Sequence, residues 1–150
     1  MKILLGVDTS PHSRATVSAL CGMPWSKGTH VVVLSAVAPT EPEYAPEPHV
    51  VASVAGALAI LEAEQIETHE ELVAQTERTL RAAGLETDGH VVKGDPRAAL
   101  VDMARAEGVD LVVVGSHGHS GLSRALLGSV ASYVIGHATC NVLVMKTYPR

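Results

Sequence analysis

The residues best placed to do chemistry crowd into one stretch of the chain. Gly115, Gly118, Gly121 and Gly128, interspersed with Ser116, Ser120, Ser123 and Ser129, follow the unbroken apolar run Leu111-Val112-Val113-Val114. A β-branched run without alternation suits a strand buried on both faces. A helical pattern starts at Ser129, with Val130 and Val134 one turn apart. Glycines let backbone approach a ligand closely. The N–H groups of a loop and of a helix start have no partner inside the helix. Strand, glycine-rich loop and helix start therefore make a cradle for an anion, and phosphate oxygens can satisfy those N–H groups. Ser129 is expected to cap the helix and to donate to phosphate. Elsewhere, Asp8 closes the apolar run Lys2–Val7. Its carboxylate either caps the helix starting at Ser10 or faces a ligand from a strand's carboxyl end.

The common phosphate-binding signatures are absent. No Gly-Lys-Ser/Thr follows the glycines, so this is not a Walker loop, and no G-x-G-x-x-G occurs. The spacing is Gly115-x-x-Gly118, nine residues, then Gly128-Ser129. His117 and His119 have His-x-His spacing, but a pair without further ligands reads as solvated loop before it reads as a metal site. Arg124 stands beside the loop, either adding charge to a terminal phosphate or lying on the surface. Cys21 and Cys140 match no metal or redox spacing and read as packing thiols of a reducing compartment.

The elements that must position these residues follow from pattern. A strand over Lys2–Asp8 precedes a helix opened by Ser10-Pro11 and stopped near Gly22 and Pro24. A second buried strand spans Thr29–Val37. Pro39–Pro48, with four prolines, three glutamates and Tyr44, reads as loop. Val50–Ala83 is helical by composition, with Val54, Leu58, Leu61, Gln65, Leu72, Thr76 and Leu80 near one face and a gap at His69. Thr68-His69-Glu70-Glu71 fits a capping box, so a break between Gln65 and Thr68 stands beside one unbroken helix. A strand over Glu86–Lys93, a helix from Pro96 capped by Asp95, the strand at Leu111, the helix at Ser129 and a strand at Asn141–Lys146 complete the chain. Strict β–α alternation implies a parallel sheet with helices on both faces and one domain over 1–150. Asp8, Val37 and Gly115 each follow a strand's carboxyl end, where open α/β sheets bind ligands.

Composition narrows the partners. The 150 residues are 47% apolar with a net charge of −5 and no block of Lys or Arg. That disfavours nucleic acid and anionic membrane surfaces. No run approaches the ~18 apolar residues of a membrane span, and the apolar N-terminal run is too short for a signal peptide.

Taken together, Asp8, Gly94-Asp95-Pro96, Val114-Gly115-Ser116-His117-Gly118, Leu126-Leu127-Gly128-Ser129-Val130 and the apolar Val142–Met145 resemble the ATP-binding branch of the universal stress protein family, along the whole chain. The resemblance implies a Rossmann-like, adenine nucleotide alpha hydrolase-like sheet of strand order 3-2-1-4-5. It implies ATP, or AMP or ADP, with Mg²⁺ or Mn²⁺ carried by the phosphates. Asp8 would meet the ribose, with Thr9 beside it. Val7, Ala36 and Val37 would line adenine. Gly115, Ser116, His117 and Gly118 would wrap ribose and α-phosphate, and Gly128, Ser129, Val130 and Ala131 the outer phosphates. It further implies a cytoplasmic homodimer joined through Val142–Met145, with protein partners unspecified. Two positions depart from the family pattern: Ala131, where a hydroxyl can stand, and Asn141, where a proline is common. The function implied is a nucleotide-dependent stress regulator or sensor. The alternatives are a slow ATPase and a nucleotide-free interaction module. No general base or Walker lysine stands in the loop, so no catalytic residue is assigned and hydrolysis is expected to be weak at most.

Overall fold

The computed structural model describes residues 1–39, 51–117 and 127–146, with residues 51–54 as backbone only. The order is β1 (Lys2–Gly6), α1 (Pro11–Cys21), β2 (His30–Val37), α2 (Val51–Ala82), β3 (Glu86–Lys93), α3 (Pro96–Ala106), β4 (Leu111–Gly115), α4 (Ser129–His137) and β5 (Asn141–Met145). The strands form one parallel sheet in the order β3-β2-β1-β4-β5, as the resemblance implied.

Alternate strand residues feed two cores. Ile3, Leu5, Val31, Val33 and Val113 pack with Val17 and Leu20 of α1 and Val73 and Leu80 of α2. Leu4, Val32, Leu34, Val112 and Val114 pack with Leu100, Val101 and Ala104 of α3 and Ala131 and Val134 of α4. Strands buried on both faces need no polar alternation, which is why their sequences are continuous apolar runs. Right-handed crossovers put α1 and α2 on one face and α3 and α4 on the other. The direction of winding reverses between β1 and β4, and this opens a crevice at their carboxyl ends.

The helix caps follow local chemistry. Ser10 accepts from the N–H of Ser13 with Pro11 in the first turn, and Asp95 accepts from the N–H of Arg97 with Pro96 in its first turn. The Arg97 guanidinium, then its backbone N–H, hold the Asp95 carboxyl below the usual carboxylate range. Asn141, at the position where a proline was the family expectation, donates from Nδ2 to the Asp110 carbonyl at 3.2 Å and so ties the entry of β5 to that of β4.

Two expectations are revised. Helix α2 runs unbroken for 32 residues, so of the two readings of that segment the capping box at Thr68 does not form. The Thr68 hydroxyl donates to the Glu64 carbonyl at 2.8 Å, an i−4 bond that leaves the helix continuous. Ser129 is not the cap of α4: it is the first helical residue, and Gly128, extended at φ −61° and ψ 156°, holds the cap position without a side-chain bond.

No helix among the described residues is long and apolar enough to cross a membrane. Tyr44, Gly118, His119, Gly121, Ser123 and Arg124 lie outside the described residues.

Candidate functional site

The crevice is a cleft of about 840 Å³ lined by Val7, Asp8, Thr9, Ala36, Val37, Gly115, His117, Gly128, Ser129, Val130 and Ala131. These residues come from three strand ends and the start of α4, so the sheet brings together positions more than 100 residues apart in sequence. Ser116 is the exception among the described candidates. It is buried beneath the rim rather than lining it. Its N–H donates to the Met145 carbonyl at 2.9 Å, and its carbonyl accepts from the Gly128 N–H at 2.8 Å. Its role is to clamp both ends of the glycine-rich loop against β5. Its hydroxyl lies 3.0 Å from Nδ1 of His117.

The rim at α4 carries backbone donors. The first α-helical bond there is from the Ser132 N–H to the Gly128 carbonyl, at 3.0 Å. The N–H groups of Ser129, Val130 and Ala131 precede it, and Gly128 supplies no capping side chain. A helix start of this kind presents donors with no partner inside the helix and the positive end of its dipole. The Ala131 methyl is buried in the core with Leu4 and Val134. That position therefore has only its N–H to offer to the cleft. Gly115 is tightly held: a Cβ would come within 3.2 Å of Thr16 Oγ1 and 3.3 Å of the His117 carbonyl.

Asp8 lines the cleft but does not cap α1, whose N-cap is Ser10. Its Oδ1 accepts from the Ser10 N–H at 2.9 Å, and its own N–H donates to Ser13 Oγ at 3.0 Å. This fixes the carboxylate at the mouth of the cleft while it closes the turn into α1. His117 faces His12 of α1, ring centroids 5.7 Å apart.

One wall was not foreseen from the sequence. Leu61, Glu64, Gln65, Thr68 and His69 of α2 also line the cleft. Leu61 and Gln65, read on one face with Leu72, Thr76 and Leu80, are exposed along it, whereas Leu72, Thr76 and Leu80 further along pack inward. The helix overshoots the sheet, so the same stripe serves the core below and the cleft above. The gap at His69 was the one signal. His69 interrupts the apolar stripe because its Nδ1 lies 2.8 Å from Oγ of Ser35, a buried β2 hydroxyl that donates to the Val7 carbonyl, also at 2.8 Å.

No Lys or Arg among the described residues lines the cleft. Nor do three or more His, Cys, Asp or Glu side chains gather anywhere among them in a way that could hold a metal ion.

The model of the universal stress protein family matches residues 1–146. This chain belongs to that family. Universal stress protein Sll1388 of Synechocystis is 38% identical to it over 86 residues, 57% of this chain and 55% of that one. Such sequence matches span about half the length of the curated relatives. The solved structure of MJ0577, from Methanocaldococcus jannaschii, superposes with a TM-score of 0.80 at 26% identity, covering 99% of this chain and 97% of that one. A family protein of Arabidopsis thaliana, solved with AMP bound, shares the fold with a TM-score of 0.66 at 16% identity over 99% of this chain and 92% of its own.

Proposed function

We propose that this universal stress protein is a cytoplasmic, ATP-binding regulator, a single domain that holds its nucleotide in the cleft between β1 and β4. The observation that carries the reading is the uncapped start of α4 at Gly128–Ala131 on one rim, with the Asp8 carboxylate facing it across the strand ends. Backbone donors would hold the phosphates and Asp8 would accept from a ribose hydroxyl. The apolar floor of Val7, Ala36 and Val37 would take the flat face of adenine. The AMP-bound relative supports an adenine nucleotide in this fold. With no cluster of metal ligands among the described residues, Mg²⁺ or Mn²⁺ would ride on the phosphates, keeping much of its water, as Mg²⁺ does on polyphosphates.

The cleft suits holding better than cutting. Phosphoryl transfer relies on cations and a positioned base to stabilise charge in the transition state. No Lys or Arg among the described residues stands there. A slow ATPase with His117 or Asp8 assisting remains the second reading.

Equilibrium dialysis of the purified chain against ATP tests the proposal, and no binding at millimolar nucleotide would sink it. Asp8→Asn is the sharper probe. The amide oxygen keeps the Ser10 acceptor, so the turn and the melting temperature should be preserved. Loss of a charge-assisted bond to the ribose should weaken ATP binding about tenfold. Equal affinity would leave Asp8 with the turn into α1 alone.

The same reading includes a homodimer through β5. Among the described residues that strand is a sheet edge paired only with β4, and Val142, Leu143 and Val144 are half-buried in the lone chain. An unpaired edge of apolar residues invites a second copy across a two-fold axis. Sedimentation equilibrium should give twice the chain mass; a monomer at micromolar concentration would refute it.

A further inference from the structure

We propose that Arg97 is a further phosphate-binding residue, its guanidinium turning from Asp95 onto the terminal phosphate of the bound nucleotide. The inference rests on the nucleotide reading above and deepens it. Backbone N–H groups offer dipoles, whereas a triphosphate brings several full negative charges. Asp8 and Glu64 add two carboxylates to the same lining, which holds no Lys or Arg among the described residues. A guanidinium parked just outside the rim supplies the missing charge.

The fold places Arg97 there. Pro96, its neighbour in the first turn of α3, lines the cleft together with Gly128, Ser129 and Val130. Helices α3 and α4 pack in one core on the same face of the sheet. Arg97 crosses between them, its Cζ 5.8 Å from the centroid of the Tyr133 ring. His137, one turn further along α4, stacks on that ring with centroids 3.9 Å apart and planes at 11°. Helical side chains lean toward the N-terminus, so His137 covers the face of the ring turned to the end of the helix. The guanidinium is left the other face, which looks toward Ser129. Tyr133 stands four residues past Ser129, about 6 Å along the helix axis. A flexible methylene stem covers such a distance by a change of rotamer.

The present partner of Arg97 is one it can leave. Its Nε donates to both carboxylate oxygens of Asp95, at 3.0 and 2.9 Å, and its Nη2 donates to Oδ2 at 2.6 Å. Both side chains are exposed, and exposed ion pairs are worth little. The same planar fork matches two oxygens of a phosphate. Asp95 keeps a second duty without the guanidinium: its Oδ1 accepts from the Arg97 backbone N–H at 2.9 Å and caps α3. The side chain can therefore swing while the helix start stays in place.

The test is calorimetric titration of the full chain with ATP and with AMP, at one fixed Mg²⁺ concentration. Arg97→Gln should weaken ATP about tenfold, the worth of a charge-assisted bond, and leave AMP unchanged. Asp95→Asn keeps the cap of α3 and frees the guanidinium. It should tighten ATP about threefold, the worth of an exposed ion pair, and leave AMP unchanged. Both substitutions break the same pair, so a merely structural pair would shift affinity in one direction in both variants. Opposite signs mark a guanidinium that moves to the ligand. Asp95→Asn also removes a negative charge, and the double variant separates that effect. Its ATP affinity should equal that of Arg97→Gln alone; a gain that persists there comes from bulk charge and overturns the inference. If ATP and AMP bind and Arg97→Gln changes neither, the inference fails and the nucleotide reading survives. If neither nucleotide binds the wild-type chain, both fall together.

Discussion

Gly128→Val is expected to weaken ATP binding by at least about 100-fold while leaving the fold intact. The backbone at Gly128 is extended, at φ −61° and ψ 156°. That is a region β-branched residues favour, so valine brings no backbone strain. Its N–H still donates to the Ser116 carbonyl and its carbonyl still opens α4. What changes is the lining of the cleft. Two methyl groups there would keep phosphate oxygens from the N–H groups of Ser129 and Val130. Losing two charge-assisted bonds of about 1.5 kcal/mol each corresponds to roughly a 100-fold change in Kd. Titration calorimetry of the variant against ATP reads the loss, and a melting temperature within about 2 °C of wild type shows that it is local. A variant that binds as wild type would mean that phosphates do not sit on α4.

The strand-end positions of Asp8 and Gly115 were readable in the sequence because each stands at a break in pattern: an apolar strand ends, and a carboxylate or a glycine begins. The strand runs were readable for the same physical reason, since burial on both faces removes the polar alternation that would blur them. The strand order is another matter. Nothing local in β2 or β4 says that both neighbour β1; that order came from the family resemblance and is set by the crossovers and by which faces the helices cover.

Helix α2 shows where local pattern stops informing. Its apolar stripe continues past the end of the sheet, so Leu61 and Leu80 look alike in sequence. Leu80 is fully buried and Leu61 is 49% exposed. The capping box at Thr68 was a sound local signal, overridden by a tertiary one: the His69–Ser35 bond and the packing of Val73 hold the helix straight across that point. Ser116 shows the opposite effect of tertiary placement. It stands between Gly115 and His117, which line the cleft, but alternation along the chain turns it under the rim.

Gly89→Ala should be among the most destabilising single-methyl changes in the molecule. Gly89 stands in β3 opposite Val33 of β2, directly beneath α2. A Cβ there would lie 2.3 Å from Cγ1 of Val73 and 2.9 Å from Cδ of Glu77. Glu77 has a long side chain that can swing aside. Val73 is 5% exposed and its Cγ1 is one bond from Cβ, so relief requires the helix to lift. Replacing a strand glycine by alanine ordinarily stabilises by about 0.5–1 kcal/mol through the unfolded chain. Overpacking of this kind costs about 1–3 kcal/mol, and a contact this short belongs at the upper end. The net expectation is a loss of about 2 kcal/mol, or roughly 4–8 °C in melting temperature for a chain of this size. Val73→Ala alone should also destabilise, by removing buried methyl groups. Yet the double variant should be more stable than the sum of the two losses, because each change makes room for the other. A favourable coupling of about 1–2 kcal/mol in a denaturation cycle is the signature. His69 lies one helical turn from Val73, so lifting α2 also withdraws the wall that faces the cleft. Gly89→Ala should therefore weaken ATP binding together with stability, and Val73→Ala should partly restore both. A Gly89→Ala chain that melts at or above wild type would show that α2 does not rest on this glycine, and would remove the support on which the position of His69 depends.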